Sequence, residues 1–463
     1  MAHGRRWLIG AALVVTSAMA LVLVAFGGQP SLAEGGVIYV DASTDPGGDG
    51  VSWGTAFADL QDALDAAAAV APVEIWVAAG TYKPTSGTDR AASFQMANGV
   101  AIYGGFDPSV GATDLEDRDW VLHESILSGD IGTEGDPDDN SYHVFYHPDG
   151  TGLDATAILD GFTITGGNAD GDDWPQHDAG GGMFNYASSP ALSNVTFDGN
   201  TASAGGGMHN SWASLPTLTN CTFLRNTAVD EGGGMLNDTS SPILTGCTFS
   251  GNSADAGGGI HNISSSPALN NVTFAGNQAN SGGGIHNNES SPVLVNCTFW
   301  GNSAHGKGGG IRNKTYSAPT LTNCTFYDNT ATDGGAIQNF ESSSPTLTNC
   351  ILWGDSHPEI DNSDNSAASV TFSDVEGSSP DPVTGNINED PLFQDPENGD
   401  FHLGPGSPCI DAGTNEASDL PEFDFEGDPR SLDGDRDGTA TVDMGVDEAL
   451  WHRVHLPLVL RGY

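Results

Sequence analysis

The sequence predicts an all-β chain wound as a right-handed parallel β-helix, with about 25–27 residues per rung and a capping helix near its N-terminus. Three observations lead there. Gly-Gly-Gly-Met begins at Gly180, Gly205 and Gly232, Gly-Gly-Gly-Ile at Gly257, Gly282 and Gly308, and Gly-Gly-Ala-Ile at Gly334, with spacings of 25, 27, 25, 25, 26 and 26 residues. Between them Phe-x-x-Asn recurs from Phe197, Phe223, Phe249, Phe274, Phe299 and Phe326. Within a unit such as residues 257–277, three short extended stretches are separated by turn formers, and no stretch has the length or period of a helix. A unit this small buries an apolar face only against the next copy, which is the condition of a solenoid. At about 4.8 Å per rung the seven copies rise roughly 34 Å.

The elements follow in chain order. Residues 1–33 read as an export signal, because Arg5 and Arg6 precede an apolar run from Trp7 to Phe26 and Ser31-Leu32-Ala33 offers a cleavage pattern. That run is also long enough to stay as a membrane anchor if uncleaved, whereas no second run of such length follows it. Residues 34–179 open the coil with a strand over 37–40, an amphipathic helix over 58–70 that covers the exposed end, and strands over 74–77 and 100–103. Residues 180–350 are the repeats. Over 351–450 the repeat decays into acidic sequence, and 451–463 is an apolar tail, readable as a final edge strand.

Stacking the repeats fixes their columns. Met183, Met208, Met235, Ile260, Ile285, Ile311 and Ile337 point inward, as do Leu192 to Leu347 at the equivalent positions and the six Phe. Two Asn columns, from Asn185 and from Asn200, recur at two turns and satisfy backbone groups and one another. Cys221, Cys247, Cys297, Cys324 and Cys350 share a column with Val195 and Val272. Parallel neighbours hold Cβ atoms about 4.8 Å apart, beyond the roughly 3.5–4.5 Å of a disulfide, so the column reads as buried free thiols.

In its repeats the chain resembles the polymorphic outer-membrane protein repeat, whose signature is Gly-Gly-Ala-Ile with Phe-x-x-Asn, within the pectin-lyase-like β-helix superfamily. The front segment, with Ile38-Tyr39-Val40-Asp41, Trp53-Gly54-Thr55-Ala56 and Leu159-Asp160-Gly161-Phe162-Thr163-Ile164, looks like the N-terminal part of exported bacterial β-helix proteins. Ser407-Pro408-Cys409-Ile410-Asp411-Ala412-Gly413, with Asp443-Met444-Gly445, is similar to the choice-of-anchor Q region. The resemblance implies this fold, a secreted or cell-surface location, and a C-terminal tail used for surface association or sorting.

The balance of 13 Lys+Arg against 61 Asp+Glu, a formal charge of -48, excludes nucleic-acid and anionic-lipid partners. The acidity lies at the ends: residues 34–179 carry -24 and 351–463 carry -21, against -5 over 180–350. Nothing in the sequence fixes an oligomeric state. The position after each Met or Ile is expected to face outward, which makes His209, His261, His286 and Arg312 a ligand-binding or transition-metal strip, or else a solvated column. Asp433, Asp435 and Asp437 before Gly438, followed by Asp443, resemble a calcium loop, although the twelfth position holds Met444 rather than Glu; a solvated acidic turn is the alternative. Asp172, Asp173 and His177, in an insertion beside Trp174, suit sugar binding or paired-acid catalysis, or are simply a solvated loop; a carbohydrate-active site would lie there or around Arg225. After each Phe no acidic column recurs, so lyase catalysis does not transfer residue by residue. The expected function is a binding, adhesion or structural module that recognises polysaccharide; the alternative is a polysaccharide lyase or glycoside hydrolase.

Overall fold

The computed structural model describes residues 36–172, 177–356, 358–434 and 438–449. The signal, the tail at 451–463 and Asp173, Asp435 and Asp437 lie outside these. In a repeat, a strand such as Ile260–Ile263 joins one sheet, Ala268–Asn270 the next and Thr273–Ala275 a third. The x-Leu-x strands form a first sheet of twelve, from Val37–Val40 to Ser369–Thr371, and the Thr-Phe strands a second of eleven, from Gly80–Tyr82 to Asp374–Val375. The Met/Ile strands form a third sheet of nine, from Phe145–His147 to Ile360–Asn362. All pairings in these sheets are parallel, with Ile260 on Ile285, Leu269 on Leu294 and Phe274 on Phe299. The fold is the expected right-handed parallel β-helix. The coil begins at Val37 and reaches Val375, beyond both ends of the Gly repeats, because Ile158-Leu159-Asp160 and Ser369-Val370-Thr371 supply the inward apolar residue without the motif.

Local chemistry explains each column. The Phe rings stack nearly parallel with centroids 4.6–5.1 Å apart and are sealed from solvent. All six cysteines are free and buried, and Cys297 Sγ rests 3.7 Å from the Leu269 carbonyl oxygen. The Asn185 column sits within the third-sheet strands rather than at a turn, and each Nδ2 donates to the next Oδ1 at 2.8–3.0 Å as far as Asn362. The Asn200 column does occupy a turn, where Asn226 Nδ2 donates both to Asn252 Oδ1 and to the Phe197 carbonyl. Glycine is required where the rung closes: Gly257 has φ +66°, and a Cβ on Gly258 would meet Gln278 O at 2.5 Å.

Beside the expected capping helix, the coil carries two features that were not expected, an outer sheet and a C-terminal return segment. A fourth, outer sheet of six short strands runs from Asn168–Ala169 to Ser303–Lys307, between the second sheet and the third. At the N-terminal end the helix α1 (Leu60–Ala68) is capped by Asp59, which accepts the Gln61 N–H, and buries Leu60, Ala63, Leu64 and Ala67 over the first rung. Past Val375 the chain doubles back along the corner between the first and second sheets. There Asn323 Nδ2 donates to the Asp443 and Gly445 carbonyls at 3.0 and 3.1 Å, and the Gly445 N–H donates to Asn349 O. The buried Arg430 donates to Asn296 Oδ1 and to the Val446 carbonyl. The segments 407–413 and 443–448 thus form a clasp over the last rungs.

Candidate functional site

The expected histidine strip is corrected by the outer sheet. His209, His261 and His286 do point away from the coil interior, yet the outer strands lie over them and leave them 1%, 3% and 7% exposed. His261 and His286 stack at 4.6 Å, with Glu231 of the outer sheet 3.7 Å from His261 Nδ1. Arg312 is half-buried and donates to Ser281 of that sheet. Burial is the first cause of the depressed basicity of this column: His209 and His261 fall to about 3. The strip is a second, covered layer of packing, not an outer face.

The insertion before the first Gly-Gly-Gly holds Asp172 exposed and His177 stacked on Tyr142 at 4.6 Å. Arg90 lies 4.2 Å over the same Tyr142 ring and pairs with Asp170 at 2.6 Å. Arg225 is elsewhere, on the turn after the second sheet, paired with Asp198 at 2.6 Å. Among the described residues Asp172, His177 and Arg225 do not assemble into one acid–base constellation. Of the acidic loop, Asp433 is exposed and its Oδ2 accepts the Gly438 N–H, while Asp443 is buried in the clasp with its oxygens accepting the Asp411 and Ala449 N–H groups. The described part of the loop therefore offers one exposed carboxylate and does not complete a calcium cage.

Two sites escape sequence reasoning. The turn between the third and first sheets holds one residue in the left-handed region at Ala187, Thr239, Ser264 and Glu289, and two in the other rungs. Four rungs carry one more residue there, between Met208 and Leu218, Ile311 and Leu321, Ile337 and Leu347, and Ile360 and Val370, and the first two of these present an exposed aromatic ring: Trp212, 66% exposed, and Tyr316, 75% exposed. Trp212 stacks on Tyr186 at 5.7 Å. Between them along the axis, one register holds Asp238, Ile263 and Asn288, and it ends at Lys314 on the rung of Tyr316. The step of ten residues from Met208 to Leu218 and from Ile311 to Leu321, against nine from Ile260 to Leu269, was the available signal. The other site is a cleft of about 640 Å³ at the C-terminal mouth of the coil, lined by Glu359, Ile360, Val370, Val375, Glu376 and Asn386. Asp355 ends the Asn200 ladder by accepting from Asn329, and its carboxyl group is hydrogen-bonded to that of Glu359. Burial raises both, Asp355 to about 7 and Glu359 to about 10, so the pair holds a proton at neutral pH.

Comparison with known proteins agrees with this architecture. Residues 155–306 and 288–379 match the family model of the right handed beta helix region. The crystal structure of pectate lyase Pel9A superposes with a TM-score of 0.54 over 90% of this chain and 98% of that one, at 14% identity. No curated protein matches the chain. What is common is the right-handed parallel β-helix.

Proposed function

We propose that this protein is an exported, cell-surface or secreted β-helix that binds polysaccharide along its long axis, on the turn between the third and first sheets. The observation that carries this reading is the pair of exposed aromatic rings, Trp212 and Tyr316, four rungs or roughly 19 Å apart on one turn column. Flat aromatic faces take the apolar face of a sugar ring, and the polar Asp238 and Asn288 between them, with Lys314 beside Tyr316, supply partners for hydroxyl groups. Trp212 is presented on Tyr186 rather than hanging free, which lowers the entropy lost on binding.

The expected outcome is that a panel of surface polysaccharides yields a ligand whose affinity falls roughly 3- to 10-fold in each of Trp212→Ala and Tyr316→Ala. Binding that ignores both substitutions sinks the proposal. The proton-sharing Asp355–Glu359 pair beside the cleft favours a second reading, a glycoside hydrolase or lyase. Release of reducing or unsaturated ends by the wild type, lost in Glu359→Gln, would put that reading first.

A further inference from the structure

The clasp carries a cluster of metal-ligand side chains drawn from three separate segments. His402 lies on the strand Asp400–Leu403, Glu426 on the turn that follows Asp424, and Asp447 in the strap that begins at Asp443. The ligand atoms of His402, Glu426 and Asp447 lie within 4.8 Å of one another, with His402 Nε2 2.8 Å from Glu426 Oε2. Neither the acidic loop at Asp433 nor any repeat column contributes to this group.

We propose that His402, Glu426 and Asp447 bind a divalent first-row transition ion, with zinc as its natural representative. Three features favour an ion over a chance meeting of charges. On its far side His402 Nδ1 is hydrogen-bonded to Asp400, the carboxylate–histidine arrangement that fixes the tautomer and aims Nε2 at a metal. The three segments are braced independently: Asp424 Oδ1 accepts the N–H groups of Glu426, Gly427 and Asp428, and Asp447 Oδ2 accepts the Leu403 N–H. Asp447 is 4% exposed while the His402 side chain is 20% exposed, so the site has a buried anchor and an open side for entry and for water as a remaining ligand. Asp424, Asp443 and Glu448 lie close by, against the buried Arg430. One imidazole nitrogen with two carboxylates suits zinc, cobalt or manganese; calcium prefers an all-oxygen shell.

The test is metal titration of the full chain after chelator treatment, followed by calorimetry and by the visible bands of bound cobalt. The wild type is expected to take up one equivalent of zinc, which excess calcium does not displace, and to melt at higher temperature when loaded. His402→Ala is expected to lose that equivalent, and Glu426→Gln, on the exposed side and mild in volume, to bind at least tenfold more weakly. If Glu426→Gln and His402→Ala bind zinc as the wild type does, or the wild type binds none, the proposal fails, and His402 is then an imidazolium bridging Asp400 and Glu426. Should His402→Ala not fold, Glu426→Gln alone decides.

Discussion

A histidine sealed beneath the outer sheet is held neutral by its surroundings. His261 illustrates the consequence. Burial, then Arg312 and Lys314, push it down to about 3, and His147 and His209 are likewise lowered, first of all by burial. In the unfolded chain these imidazoles take up protons below about 6.5, so the unfolded state binds more protons between the two values. Their contribution is present above about 6.5 and is lost as the pH falls toward 3. Leu236 occupies the same column, so His261→Leu preserves the packing while removing one titrating group. Denaturant melts at pH 7.5 and 4.5 should show little change for this variant at the first and a shallower loss at the second, by up to about 1.4 kcal/mol per pH unit. An unaltered acid slope would refute the assignment. The buried acids of the C-terminal end act oppositely: Asp355, Asp374 and Glu359 are raised, first by burial, and their contribution fades as the pH rises through about 6 to 10.

At the scale of the element, the ladders decide which substitutions a rung tolerates. Asn277 Nδ2 donates to Phe249 O and to Asn302 Oδ1, while its Oδ1 accepts from the backbone and side chain of Asn252. Asn277→Ala leaves these buried partners unpaired and is expected to cost about 2–4 kcal/mol. Cys297→Val, in a column that already accepts Val195 and Val272, should cost less than about 1 kcal/mol. Equal losses in equilibrium unfolding would mean that the ladder is not what holds the turn. The same contrast explains what the sequence made readable. A column repeats one residue class at one spacing, so Met183 to Ile337, the Phe stack and the thiols could be placed before any coordinates. The outer strands Thr201–Ala204, Ser253–Ala256 and Gln278–Ser281 are short, and their one repeating apolar position is only an alanine, Ala202, Ala254 and Ala279, too small a signal to read as a strand. Without them His209, His261 and His286 read as solvent-facing. The candidate sites were hidden for a related reason: Trp212 and Tyr316 are departures from the repeat, and Glu359 and His402 gain partners only through the closing of the coil and the clasp.

At the scale of the whole molecule, the acidity and the clasp belong together. Many of the acids at the two ends terminate turns: Asp107 accepts the Ser109 N–H, Asp136 that of Asp138, Asp154 that of Thr156, and Asp424 three in succession. The repeats close their turns with Asn and Gly and remain nearly neutral, so the charge gradient follows the change in turn chemistry. The clasp makes the C-terminal rungs different from the middle ones, since Asn296, Asn323 and Asn349 are covered and hydrogen-bonded to it. In a solenoid each rung contacts its neighbours, so loosening this cover should act locally. Gly445 has φ +89°, and a Cβ there would meet Ile351 Cδ1 at 2.7 Å and Thr325 Oγ1 at 2.9 Å. Gly445→Val combines that contact with a β-branched residue in a left-handed conformation and should lift the strap from the coil. Hydrogen exchange is then expected to accelerate tenfold or more for amides of the rungs from Cys324 to Trp353, with those from Met183 to Ser250 unchanged. Uniform acceleration along the coil would mean that the clasp stabilises the solenoid as one cooperative body, and no acceleration would mean that it is not braced on these rungs at all.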